Sequence, residues 1–300
     1  MLKNLKVNLW LPIALVAVLF LTLAGCAGNS AGASPVPTTT ATPAAQDIIS
    51  RSVSAMANLA SYQYAINMTL KLTGTLKGQP QNVSVTATGD GTNDIADKKV
   101  QVNLNAAIQT SGQGSMTVPV TFYMVDGWQY VQITLPLGSS QWYKSKIDLT
   151  SLDGLDQASQ ALQMLKTAVN VTVTGTETVD GVPCYILQIS PDLTVLSQWI
   201  KSFEGTAGAG GQQLPNIDLS KLVKNLSITA DVAQDSYLLK KVDIAGNVAA
   251  TAADMGSSAQ AGDNLSLDFS QSVKMTQFNQ PVVIILPPEA QNAKEFTGPK

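Results

Sequence analysis

The feature that most constrains this chain is a strict two-residue alternation of apolar and polar side chains. Tyr62, Tyr64, Ile66, Met68, Leu70 and Leu72 alternate with Gln63, Ala65, Asn67, Thr69, Lys71 and Thr73. A strand sends successive side chains to opposite faces, so this run specifies a strand with one face buried and one wet. The pattern returns at Val83, Val85 and Ala87, and at Val100, Val102, Leu104 and Ala106. It returns again at Met116, Val118, Val120, Phe122 and Met124, where Pro119 marks an edge position or a bulge. Asp126-Gly127 and Asp180-Gly181 are tight-turn signals between such runs. Alternation resumes over 226–232, 239–248, 265–269 and 273–278, and Pro281–Pro288 reads as a short apolar strand. The periodicity predicts about ten or eleven strands. Connectors of βαβ length are missing from the first half, so the sheet is expected to be antiparallel, with one apolar and one polar face.

Helical spacing interrupts this pattern in three places. Ile49, Val53, Met56 and Ala60 predict an amphipathic helix over 45–60. Leu152, Leu155, Ala158, Leu162, Leu165 and Ala168 predict a second. Leu193, Leu196, Ile200 and Phe203 predict a third, followed by a glycine-rich loop over 205–213. Leu219, Leu222 and Val223 extend a helical lid after that loop. Helices with strands give an α+β class.

The start of the chain reads as an address. Lys3 and Lys6 precede an apolar run over 9–25, which ends in Leu23-Ala24-Gly25-Cys26. A basic start, a short apolar stretch and small residues at its end form a secretory signal. The last four residues resemble the lipobox of bacterial lipoproteins, which implies lipidation of Cys26 and cleavage before it. Residues 27–46 are almost entirely Gly, Ala, Ser, Thr and Pro and carry no charge, so they form a flexible tether. The expected organisation is a signal over 1–25, the lipidated cysteine and linker over 26–46, and one domain over 47–300. The protein would then sit outside the cytoplasm. A lipid anchor would hold it to the outer face of the cytoplasmic membrane, or within the periplasm of a two-membrane cell.

Composition narrows the chemistry. The chain has no histidine and two cysteines, which removes Ser-His-Asp and Cys-His nucleophiles and all-cysteine zinc sites. Charged residues make up 13% and the net charge is −3, against a nucleic-acid partner, which would want a basic stripe. The one Gly-x-Ser-x-Gly, at Gly28–Gly32, lies in the tether without the strand and helix of a nucleophile elbow. No catalytic residue, cofactor or metal site is assigned. The nearest metal candidate is Asp90, Asn93, Asp94 and Asp97, whose spacing does not fit a calcium loop and reads as a solvated hairpin loop. Cys184 lies among apolar neighbours and reads as a buried, inert thiol. Trp128, Trp142, Trp199, Tyr130 and Tyr143 read as core or strand-face residues.

Two local patterns add a resemblance. Val179-Asp180-Gly181-Val182-Pro183-Cys184-Tyr185 looks like a turn and strand of certain lipoproteins, and Ile284–Ala290 is similar to their terminal strand and stop. With the order of lipobox, linker, helix and sheet, they resemble the LppX/LprG-type lipoproteins, related in fold to the LolA and LolB lipoprotein carriers, over about 45–294. The resemblance implies a large antiparallel sheet curled into an unclosed half-barrel, with helices on its concave side. It also implies an apolar cavity between them for the acyl chains of lipids, glycolipids or lipoproteins. The protein is expected to be a monomer whose partners are the membrane, through its lipid anchor, and a lipid or lipoprotein acyl chain. The residues that would line such a cavity are Ile66, Met68, Leu70, Val102, Leu104, Val118, Val120 and Phe122. The same eight residues would serve equally in a filled core of a structural or sensory lipoprotein, because protein and acyl chains select the same side chains.

Overall fold

The computed structural model describes residues 43–111, 114–134, 140–146, 170–191, 222–255 and 260–295. A helix α1 (Ala45–Ala57) opens the fold. The strands β1 (Ser61–Leu76), β2 (Gln79–Asp94), β3 (Lys99–Thr110), β4 (Gly114–Val125), β5 (Trp128–Thr134) and β6 (Ser140–Lys146) follow. Then come β7 (Asn170–Val179), β8 (Val182–Ser190), β9 (Val223–Ala233), β10 (Leu239–Thr251), a short helix α2 (Ala252–Met255) and β11 (Asn264–Thr276). A 3-10 turn (Pro288–Asn292) and β12 (Lys294–Glu295) close the chain.

All twelve strands form one open sheet in the order β12-β6-β5-β4-β3-β2-β1-β11-β10-β9-β8-β7. The two halves fan out as meanders from a central pair, β1 against β11, which are matched from Gln63–Thr276 to Thr75–Asn264. Every pairing is antiparallel except the short β12 against β6. The margins β7 and β12 do not meet, so the curved sheet stays unclosed.

Local chemistry accounts for the register. The loops joining β1–β2, β4–β5 and β7–β8 have two residues each: Lys77-Gly78, Asp126-Gly127 and Asp180-Gly181. Both residues of each loop have positive φ, between 51° and 78°. That is the mirror-image turn whose twist matches a right-handed hairpin. Once a loop fixes one pair, the two-residue period fixes the rest. On β1 the face carrying Tyr62, Tyr64, Ile66, Met68 and Leu70 is buried, and the alternate face is exposed as far as Lys71. Pro119 lies one residue beyond Val120, where the β4–β5 pairing ends, so its missing N–H breaks no ladder on that side.

Helix α1 rests on the apolar face at one end of the sheet. Ile48 and Ile49 are fully buried against Leu187, Ile189, Ala230 and Val232, with Val53 packed beside them. Burying each isoleucine is worth about 2–3 kcal/mol. Met56 and Leu59 reach the cluster of Tyr62, Tyr64 and Ile66, so the helix ties β8 and β9 to the centre.

Four features depart from the sequence reading. Among the described residues the strands number twelve, including the two-residue Lys294–Glu295. The expected strand Pro281–Pro288 is extended but unpaired over 281–287, Pro288 opening the 3-10 turn, and it crosses the polar face, where Ile284 is buried with Tyr123 and Trp142. Three of its eight residues are proline and can donate no ladder hydrogen bond. Val223 opens β9 instead of ending a helical lid. Gly89–Asp94 belongs to β2, so the expected loop shrinks to a turn over 95–98. The expected signal, Cys26, most of the tether, Trp199 and the expected helices over 148–168 and 193–203 lie outside the described residues.

Candidate functional site

The apolar face is one continuous surface. Its central row follows from the registers: Val120, Leu104, Gly89, Ile66, Val273, Val242, Ala230, Leu187 and Val173, one from each strand from β4 through to β7. The next row is Val118, Ala106, Ala87, Met68, Gln271, Ile244, Ile228, Ile189 and Val171. None of these positions carries a charge. The structure therefore brings all eight sequence-predicted residues to one face. Ile66, Met68, Leu70, Val102, Leu104 and Val118 are buried, and Val120 and Phe122 are half-buried beside them.

Burial along this face is graded. Tyr62 to Leu70 are buried, whereas Leu72 on the same strand is only half-buried. The positions level with Leu72, namely Val83, Leu267 and Val248, are half-buried too, as is Leu265 in the next row. The cluster of Met68, Leu70, Val85, Ala87, Ala106, Ile108 and Val118 draws its described packing partners, Val83, Met116, Val120, Leu267 and Phe269, from the sheet itself. The face thus has a closed end at Tyr62 and a more accessible end at Leu72 and Leu265.

Glycines shape the closed end. A Cβ at Gly91 would fall within the ring of Tyr64, so the missing side chain lets that ring lie across β2. Burial, reinforced by Asp90, pushes the Tyr64 phenol far above its ordinary range. Tyr64 is a neutral space-filling ring.

The β9–β11 part of this face was not among the predicted lining residues. Its signal was present in the alternation of Leu265, Leu267, Phe269, Val273 and Met275. What periodicity alone does not give is that β11 lies against β1. That adjacency puts Phe269 opposite Leu70 and Gln271 opposite Met68.

The other candidates separate. Asp90 and Asp94 share the polar face of β2, Asn93 points to the apolar face and is buried, and Asp97 sits in the turn. Asp94 Oδ1 accepts the Asp97 backbone N–H at 3.0 Å, and Asp97 pairs with Lys99 at 3.3 Å. No metal-binding group forms among the described residues. Trp142 is buried on the polar side, 6.0 Å from the Tyr123 ring, while Tyr143 is 36% exposed. Trp128 is half-buried with the Lys144 ammonium 5.2 Å from its ring centre, and Tyr130 packs half-buried beside Trp142. Cys184 is fully buried, and that burial pushes its thiol up.

The strongest electrostatics lie on the polar face, away from the apolar one. Lys241 sits 2.9 Å from Glu177, 3.0 Å from Asp231 and 3.1 Å from Asp243. Asp231 is 1% exposed, and burial with the adjacent Glu177 pushes its carboxyl up to about 6 against the pull of Lys241. Burial opposes the charge on Lys241, but its three carboxylate partners outweigh that and raise it. Hydrogen bonding to Lys241 and Asp231 holds Glu177 low. The cluster clamps β7, β9 and β10 together. The polar face also carries an open trough of about 420 Å³. Its lining includes Asn67, Thr69, Thr86, Thr88, Asp243 and Ser270, with Ala87, Met68, Gln271 and Ile244 beside them. It is an open crease of the sheet, without the enclosure of a ligand pocket.

An open antiparallel sheet with one long apolar face is the architecture the chain adopts. The chain belongs to a family of unknown function, DUF6612, whose model matches residues 44–295. No curated protein sequence matches it significantly. Among solved structures it is similar to LprF from Mycobacterium bovis, at 14% identity over 81% of this chain and 96% of that one, with a TM-score of 0.42. It is also similar to the lipoprotein LppX from Mycobacterium tuberculosis, at 17% identity over 80% and 97%, with a TM-score of 0.36. A LolA-superfamily protein from Nitrosomonas europaea matches at 11% identity over 80% and 96%, with a TM-score of 0.21. Among the described residues no helix is long and apolar enough to cross a membrane.

Proposed function

We propose that this protein is a lipid-anchored, extracytoplasmic lipoprotein that binds or carries an amphiphile by laying its acyl chains on the apolar face of the sheet. The observation that carries this reading is the uncharged surface running from β4 to β7, graded from the buried Tyr62 end to the half-buried Leu72 and Leu265 end. A surface of that kind suits a long flexible chain. Each buried methylene contributes about 0.8 kcal/mol, so a chain of about twelve gains about 10 kcal/mol before the cost of ordering it. Lipidation of Cys26 supplies the anchor, with more than one acyl chain for stable attachment. The uncharged tether over 27–46 gives the domain reach. The work assigned to the protein is binding and not bond-making, and its partners are the membrane and the lipid, with no nucleic acid.

A second reading, a structural or sensory lipoprotein with a filled core, is favoured by one observation: Ile66, Met68, Leu70 and Leu104 are each no more than 4% exposed, buried by the protein itself. One experiment separates the two. The full chain is purified from membranes and extracted with organic solvent, and the extract is read by mass spectrometry against a detergent-only control. The carrier reading expects a co-purifying lipid at near-stoichiometric amount, and uptake of a fluorescent fatty acid once it is stripped. Absence of both supports the filled core. Cys26→Ala is expected to release the protein from membranes, and continued retention would contradict the anchor.

A further inference from the structure

On β11 the apolar face has one break in its pattern. On β11 the inward positions are Leu265, Leu267, Phe269, Gln271, Val273 and Met275, and Gln271 is the single polar residue among them. It is 5% exposed. Its neighbours on this face are all apolar: Met68 across on β1, Ile244 across on β10, and Phe269 and Val273 on its own strand. Ser270 and Ser272 point to the opposite face. A primary amide has two N–H donors and a carbonyl acceptor, and a buried one costs free energy unless they are paired. Among the described residues no hydrogen bond reaches the Gln271 side chain, whose amide atoms keep a small accessible area within this apolar surround. Gln188 shows what such a side chain does elsewhere in this sheet: its Nε2 donates to Ser227 Oγ at 3.3 Å and to the Ile228 carbonyl at 3.1 Å. A leucine or valine at 271 would complete the apolar row at no polar cost.

The geometry points to Gln271 as a specificity-determining residue that pairs with a hydrogen-bonding oxygen carried inside the apolar part of the ligand. This inference rests on the lipid-binding reading above and adds to it the chemistry of the bound chain. Six residues of strand separate Gln271 from Leu265 at the accessible end, about 20 Å at 3.3 Å per residue. The amide therefore meets the body of a chain that enters from that end, and not its head group. An in-chain hydroxyl or carbonyl satisfies it, whereas a plain alkyl chain leaves it unpaired against methylenes.

The test compares stearate with its 10-hydroxy and 12-hydroxy derivatives. The probes bind to the full chain, immobilised through a C-terminal tag and washed free of detergent and endogenous lipid. The wild type is expected to prefer at least one hydroxylated probe by about fivefold to tenfold, the worth of one hydrogen bond to a buried amide. Gln271→Leu is expected to erase that preference while binding stearate at least as well, and to raise the melting temperature of the stripped protein. Gln271→Met, which keeps length and volume, is expected to behave as Gln271→Leu does and guards against a packing artefact. Equal binding of all three probes by the wild type, with Gln271→Leu and Gln271→Met unchanged, would overturn the role of Gln271 and leave lipid binding standing. A loss of melting temperature with equal weakening of every probe would make Gln271 a structural residue and overturn the inference as well. Binding of no probe, with no co-purifying lipid, would overturn both readings.

Discussion

Asp231 is the residue whose behaviour depends most on its surroundings. It is buried on β9, within 3.0 Å of Lys241, and its carboxyl is raised to about 6 from an unfolded value of about 3.9. A raised carboxyl binds its proton more tightly in the folded state. Its contribution to stability is therefore complete below about pH 4 and is lost as the pH rises through about 6. Glu177 runs the opposite way, since it is held low and loses its contribution as the pH falls. The expected outcome is that the melting temperature of Asp231→Asn, relative to the wild type, rises between pH 4 and pH 6.5. A difference that stays flat across that window contradicts the assignment. Cys184 gives a second residue-level prediction. Fully buried with Val179 and Ala233, its thiol should react with iodoacetamide roughly a hundredfold more slowly in the native protein than in urea. Equal rates would place it at the surface. Its burial was legible in the neighbouring Tyr185, Ile186 and Leu187. The Lys241 cluster was not, because Glu177, Asp231 and Lys241 are far apart in sequence and meet only through strand order.

Among the elements, β1 and β2 show how the packing was assembled. Gly91 lies opposite Tyr64, and an added methyl there meets the phenol ring. Gly91→Ala should cost about 1–3 kcal/mol in urea unfolding, the usual penalty for overpacking. In a Tyr64→Ala background the same change should cost less than about 1 kcal/mol, since the obstructing ring is gone. Equal costs in both backgrounds would refute the contact. Helix α1 carries a larger effect: Ile49→Ala should destabilise by about 2–4 kcal/mol, because Ile49 is 1% exposed against β8 and β9. A loss under 1 kcal/mol would mean that the helix is not docked there. Alternation and the Asp-Gly turns made β1, β3, β4 and the β4–β5 and β7–β8 hairpins legible. Lys77-Gly78 completes the set, a turn whose lysine gives no strong signal. Pro281–Pro288 misled because its apolar run looks like a strand, whereas its prolines and the buried Ile284 make it a strap across Tyr123 and Trp142.

At the scale of the molecule, the account rests on which face of the sheet does the work. The sequence predicted an apolar face and named eight residues of its β1, β3 and β4 portion. The β11–β1 pairing extends that face through Phe269 and Ile244 to Leu187. Strand order decides this, and strand order is set by contacts between residues 200 positions apart, which no local period encodes. The most direct measurement is photolabelling of the full chain with a diazirine fatty acid, followed by peptide sequencing of the adducts. The account predicts adducts on the apolar face, at Met68, Leu70, Val118, Phe269 and their neighbours, and their loss when unlabelled fatty acid competes. Adducts confined to Asn67, Thr69, Thr86 and Ser270 on the opposite face, or no competed adduct at all, would contradict it.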